Sequence, residues 1–254
     1  MKQFELITFA TADELAGTVA GKWLDEIESA NRAGQSHCVA LSGGRITQKF
    51  FVAVVEQARA RNLGDGDTPC FPSNVHFFWA DERCVSSDDP ESNFHLAHEL
   101  LFVPLRISEN QIHRIRGELP PEAAVELAET ELCQVVGSVG IPAGKDASVP
   151  RLDLIFLGMG EDGHVASLFP DGIEAAASDH AIFRAVKNSP KPPPNRITLG
   201  YATIAAARKV WVLVSGSGKK EALRESLYGK GCTPLGRVTQ FRTQTVIFSD
   251  FLPV

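Results

Sequence analysis

An acid and a histidine two residues apart, Asp162 and His164, stand in a turn punctuated by three glycines, Gly158, Gly160 and Gly163. An imidazole titrates near neutral pH and can take a proton from water. A carboxylate beside it can hold one tautomer, as the acid does in hydrolytic triads. No serine or cysteine stands out as a nucleophile, and neither G-x-S-x-G nor a phosphate-binding P-loop occurs. Water is therefore the expected nucleophile. The glycine spacing also fits G-x-G-x-x-G after a strand, the dinucleotide fingerprint. That fingerprint needs a long helix opening at its third glycine, and Pro170 comes too soon after Gly163. Glu161 and Asp162 would also set like charge against a pyrophosphate.

Three other strand ends carry polar groups of the kinds that hold an anion. The strand expected at 37–41 ends in Ser42-Gly43-Gly44-Arg45, the one at 75–80 in Asp81-Glu82-Arg83, and the one at 210–214 runs on to Gly216 and Lys219. In a parallel sheet these ends lie on one edge, where ligands bind, so the four turns should converge. A glycine turn before a helix exposes backbone N–H groups to an anion, which fits Gly43 and Gly44. Arg83, Arg196 and Lys219 add fixed positive charge, and arginine suits bidentate phosphate contact.

The elements that must position these groups alternate. Strands are expected at 3–10, 37–41, 75–80, 112–115, 154–157, 181–186, 210–214 and 246–248, with 196–199 extended. Helices are expected at 13–32, 47–62, 92–101, 121–136, 173–177, 201–207 and 220–228. Leu15, Val19, Trp23 and Ile27 give the first helix one buried stripe. Alternating strands and helices predict an α/β fold with a mostly parallel sheet covered on both faces. With no repeat or linker, residues 1–254 read as one domain.

Composition narrows the partners. The 254 residues are 44% hydrophobic and 22% charged with a net charge of −6, which argues for a soluble globular protein and against a nucleic-acid partner. Five cysteines without a C-x-x-C suggest reduced thiols in the cytoplasm, with neither a disulfide framework nor a zinc site. His95 and His98 could share a helix face but lack a third ligand at suitable spacing, so no metal is expected. The N-terminal MKQFELITFA does not read as a signal peptide, and no apolar run reaches the ~20 residues of a membrane helix.

Several stretches, in order, carry a family resemblance: VALSGG (39–44), FFWADERCV (77–85), ESNF (91–94), DLIFLGMGEDGHVASLFP (153–170), KPPPNRITL (191–199), VSGSGKKEAL (214–223) and IFSD (247–250). With these the chain resembles the 6-phosphogluconolactonases, whose fold is similar to that of the glucosamine-6-phosphate deaminases and ribose-5-phosphate isomerases. The resemblance implies a three-layer, modified Rossmann-like fold with its site at the carboxyl edge of the sheet. It implies hydrolysis of 6-phospho-D-glucono-1,5-lactone in the oxidative pentose phosphate pathway, without metal or organic cofactor, by a monomer or small homo-oligomer. By position, His164 would be the general base, Asp162 its orienting acid and Arg83 a substrate contact that helps hold the oxyanion. Ser42, Gly43, Gly44, Arg196 and Lys219 would hold the phosphate, with Asp81 and Lys191 nearby.

One departure bears on the phosphate. The family usually reads SGGSTP, and this chain has Arg45 and Ile46 where two hydroxyl residues would follow the glycines. Arg45 either replaces them with a charge-assisted contact or points to solvent. The deaminase branch shares GxDGH but continues with asparagine-glutamate-proline, and its glutamate supports ring opening. Phe169 occupies that position here, which argues against aldose–ketose chemistry. A sugar-phosphate-binding regulator could lose the base, and the pairing of Asp162 with His164 argues against that reading.

Overall fold

A computed structural model describes residues 4–63, 71–136, 149–171, 180–229, 233–242 and 244–253. The apolar run Leu154 to Leu157 is wholly buried in strand β5 (Leu154–Gly158). It sits between β2 (His37–Leu41) and β8 (Lys209–Val214), parallel to both. Buried on both faces, such strands read as continuous hydrophobic runs, which is why HCVAL and KVWVLV lack an alternating pattern. With β1 (Phe4–Thr8), β9 (Thr245–Ser249) and β3 (Val75–Trp79) they make a six-stranded parallel sheet in the order β1-β9-β8-β5-β2-β3.

Helix α1 (Ala12–Arg32) starts at Thr11, whose hydroxyl accepts from the Glu14 amide at 3.1 Å. Its stripe Leu15, Val19, Trp23 and Ile27 is fully buried, and the helix packs on α2 (Arg45–Ala60). Trp23 meets Phe50 of α2 and Phe77 and Phe156 of the sheet, so one aromatic cluster ties both helices to the strands. Ile247 is fully buried in β9.

Several elements depart from the sequence expectation. Arg45 and Ile46 belong to α2, which opens two residues before the expected start because Gly44, at φ +108°, is its N-cap. The helix after Ser92 runs as α3 (Asn93–Ala97), a π-turn (His98–Phe102) and α4 (Val103–Leu105). The π-turn lets the chain pass Pro104 by placing it in a new first turn, where its missing N–H is not needed. Residues 112–115 form a single bridge, Phe77 to Ile112, rather than a strand. Asp81–Arg83 is not a loop but β4, which joins β7 (Arg196–Leu199) and β6 (Phe183–Val186) in a second, antiparallel sheet. Helix α5 (Pro121–Val136) matches its expected bounds. Helices α6 (Tyr201–Ala206) and α7 (Lys220–Tyr228) follow the expected pattern, whereas α8 (Pro234–Phe241), capped by Thr233, was not expected. The helix expected at 173–177 lies outside the described residues.

Candidate active site

The Asp162–His164 turn is built by its backbone. The Gly160 amide donates to the His164 carbonyl at 2.9 Å, the Gly163 amide donates to the Gly160 carbonyl at 3.1 Å, and Met159 bridges Val165. The imidazole folds back over Gly160, where a Cβ would lie 2.1 Å from ring atoms Cε1 and Nδ1. Only a residue without a side chain fits there. At Gly163 (φ +79°) a Cβ would come within 2.8 Å of Thr233, so the unexpected helix α8 buttresses the turn.

Asp162 Oδ1 accepts from the His164 backbone amide at 3.3 Å and from ring Nδ1 at 2.5 Å. An ionised carboxylate only accepts, so this contact assigns the proton to Nδ1 and leaves Nε2 as the basic nitrogen. His164 lines the cleft. Phe169 lies against the imidazole, with ring centroids 4.8 Å apart, and carries the Arg196 guanidinium carbon 5.6 Å from its own centroid. Burial pulls the His164 pKa below its ordinary value, against the opposing pull of Asp162. For Asp162, burial raises the pKa, but the His164 contacts and the Lys191 charge outweigh it and hold the carboxyl low.

The glycine turn at 42–44 and the segment of Lys219 line the same cleft. Ser42 donates its hydroxyl to the Phe156 carbonyl at 2.8 Å, which locks the glycine turn to β5. A Cβ on Gly43 would fall 1.9 Å from Asn93 Oδ1. Gly44 gives α2 no side-chain cap, so the first N–H groups of a 16-residue helix face the cleft beside Arg45. Lys219 arrives on a short 3-10 turn whose start is fixed by Asp250, through Ser215 Oγ at 2.6 Å and the Gly216 amide at 3.1 Å. Burial lowers the Lys219 pKa, and the Arg45 charge lowers it further. The cleft encloses ≈ 130 Å³.

The second sheet forms the floor. Arg83 and Arg196 are directly opposed across β4 and β7. Arg83 Nη1 donates to the Glu91 carbonyl at 2.6 Å, while its buried Nε has no partner among the described residues. Arg196 Nη1 reaches Ser167 Oγ at 3.4 Å, and its Nε and Nη2 donate to the carbonyls of Pro193, Lys191 and Pro192. Asp81 accepts from Ser167 Oγ at 2.6 Å and from Asn93 Nδ2 at 3.3 Å. Beneath them Glu82, 2% exposed, accepts from the amides of Arg83, Asn93 and Phe94, each at 2.7 Å, and from Ser92 Oγ at 3.0 Å. Burial raises the Glu82 pKa against these four donors.

The structure thus brings Ser42, Gly43, Gly44, Arg45, Asp81, Arg83, His164, Arg196 and Lys219 to one cleft. Asp162 stands behind His164. Lys191 is not among the lining residues; its ammonium lies 3.6 Å from Asp162 Oδ1. Asn93 and Ser167 were missed as site residues. Asn93 follows the helix-capping Ser92, which was a usable signal, but Ser167 meets Asp81 only through the fold. Among the described residues no three metal-ligating side chains cluster, and no helix is long and apolar enough to cross a membrane.

The sequence profile of the family described as glucosamine-6-phosphate isomerases/6-phosphogluconolactonase matches residues 10–247. The chain belongs to this family of sugar-phosphate enzymes. Among its relatives, a 6-phosphogluconolactonase of Streptomyces coelicolor is 31% identical over 228 residues, covering 89% of this chain and 84% of the relative. A probable chloroplastic 6-phosphogluconolactonase 4 of Oryza sativa subsp. indica is 34% identical over 227 residues, and the match takes in 89% of this chain and 67% of the longer plant protein. Among solved structures, a 6-phosphogluconolactonase from Thermotoga maritima superposes with a TM-score of 0.72 at 26% identity, covering 97% of this chain and 98% of that one.

Proposed function

We propose that this chain hydrolyses 6-phospho-D-glucono-1,5-lactone to 6-phospho-D-gluconate, the lactone-opening step of the oxidative pentose phosphate pathway. The observation that carries the reading is the Asp162–His164 contact, which leaves Nε2 as the basic nitrogen of a residue that lines one cleft with Arg45, Lys219 and Gly44 at the start of α2. In this reading His164 Nε2 takes a proton from water as the oxygen attacks the lactone carbonyl. The Arg83 guanidinium, which lines the cleft, meets the oxyanion that forms, and preorganised donors of this kind lower such barriers most. Collapse breaks the bond to the ring oxygen, which takes its proton back from His164. Asp162 holds the tautomer throughout and stabilises the imidazolium. The helix end, Arg45 and Lys219 bind the phosphate. The family also contains isomerases, but Phe169 has no carboxylate to support ring opening and instead packs between His164 and Arg196. We place the enzyme in the cytoplasm, on its free thiols Cys38, Cys84 and Cys133, as one domain acting alone or in a small homo-oligomer without a nucleic-acid or membrane partner.

The pH profile tests the assignment of the base. The base acts when neutral, so activity falls as pH drops through its pKa. Because burial lowers that pKa, the acidic limb of kcat/KM is expected below 6.5, the ordinary histidine value. A limb clearly above 6.5, after subtracting spontaneous lactone opening, contradicts a buried His164 as base. The phosphate site has its own test. Arg45→Ala is expected to raise KM for the phosphorylated lactone roughly 3–10-fold, a modest factor because Arg45 is exposed. KM for unphosphorylated glucono-1,5-lactone should hardly move. An equal effect on both substrates removes Arg45 from the phosphate site.

A further inference from the structure

The family resemblance puts Lys191 near the phosphate, and the structure puts its ammonium 3.6 Å from Asp162 Oδ1. That oxygen is the same one that accepts from His164 Nδ1. The lysine does not reach it on a loose tether. Ser189 Oγ donates to the Lys191 carbonyl at 2.9 Å and accepts from the Lys191 amide at 3.2 Å. Arg196 Nη2 donates to the same carbonyl at 3.1 Å and to that of Pro192 at 3.0 Å, while Nε holds the Pro193 carbonyl at 3.0 Å. With Nε and Nη2 both committed to carbonyls, Arg196 acts chiefly as the clamp of this loop.

We propose that Lys191 is a positioning residue that sets the charge state of the catalytic pair: its ammonium shares Asp162 Oδ1 with the imidazole and disfavours imidazolium, keeping His164 Nε2 ready to accept a proton. An ionised carboxylate that faced His164 alone would favour the protonated ring and make it a weaker base near neutral pH. A second cation on the same oxygen offsets that pull. The charged groups around the imidazole are Asp162 from its own turn, Lys191 from the clamped loop and Asp81 from β4, with Arg196 beyond the Phe169 ring. Lys191 is the cation of this set that acts directly on the pair. Its charge moves the His164 titration downward, in line with the geometry. The clamp fixes the backbone from which the lysine reaches Asp162.

The proposal rests on His164 being the base, and the experiment separates the two claims. The His164 imidazole is titrated by NMR in the wild type, Lys191→Gln and Lys191→Arg, and the acidic limb of kcat/KM is measured for the same three proteins. Lys191→Gln is expected to raise the His164 titration midpoint by roughly 0.5–1 pH unit, with Lys191→Arg restoring it, a size set by one partly solvated charge at this range. The kinetic limb should move with it. An unchanged midpoint in Lys191→Gln overturns the proposal. So does a raised KM for the phosphorylated lactone with the limb in place, which would make Lys191 a phosphate ligand. A midpoint that rises while the limb stays put upholds the role of Lys191 and overturns His164 as the base.

Discussion

His164→Gln is expected to lower kcat/KM for the phosphorylated lactone by roughly 10²–10⁴-fold, the usual contribution of a positioned general base. Glutamine is close to the imidazole in size and can still donate to Asp162, but it cannot take a proton from water. The residual rate should come from Arg83 and from binding, which do not depend on the imidazole. The melting temperature should shift by only a few degrees, since His164 makes its polar contacts within its own turn, to Asp162, and packs against one ring. Circular dichroism and thermal melts beside the kinetics keep the two effects apart. A variant within tenfold of wild type would remove His164 from the chemistry.

The second large effect lies away from the reacting atoms. Glu82→Ala is expected to destabilise the fold by about 3 kcal/mol or more, because it leaves the amides of Arg83, Asn93 and Phe94 buried without an acceptor, at ~1–3 kcal/mol each. At ~2–4 °C per kcal/mol for a chain of this size, that is a fall in Tm of roughly 10 °C. Activity should fall as well, since Glu82 fixes the backbone of Arg83 and the start of α3, from which Asn93 reaches Asp81. Glu82→Gln keeps one acceptor but turns an NH₂ group toward donors, so its loss should be intermediate. Equal melting temperatures for wild type and Glu82→Ala would show that the four bonds carry no net stability.

What was legible in the chain was local. The buried runs at 37–41 and 154–157, the cap at Thr11 and the Asp162–His164 pair all express themselves within a few residues. The second sheet was hidden because its pairing is distant: β4 meets β7 across more than a hundred residues, and a three-residue DER run has no strand signal of its own. Glu82 reads as a solvated acid in sequence and is a buried helix anchor in space. Helix α8 carried a readable start, Thr233 followed by Pro234, but its importance lies in Thr233 closing over Gly163. Lys191 shows the same limit from the other side. Its charge suggested phosphate, and only the fold shows its ammonium 3.6 Å from Asp162 Oδ1.

The convergence of four strand ends on one cleft was legible for a different reason. Parallel strands must share a direction, so polar groups at their carboxyl ends must share an edge. Ser42, His164 and Lys219 come from separate parts of the chain and meet on that ground, whereas Asp81 reaches the same cleft from β4 of the second sheet. The departure at Arg45 leaves the backbone amides at the start of α2 in place, and Arg45 lines the same cleft.

The most direct test of the central claim is the initial rate of acid release from freshly prepared 6-phospho-D-glucono-1,5-lactone near neutral pH, corrected for spontaneous opening, beside ammonia release from glucosamine 6-phosphate. Lactone hydrolysis far above background with no ammonia release is the result expected if His164 is a water-activating base in the cleft it shares with Arg45 and Lys219, with the apolar Phe169 packed against it. Lactone opening at the spontaneous rate, or ammonia release at a comparable rate, would contradict it.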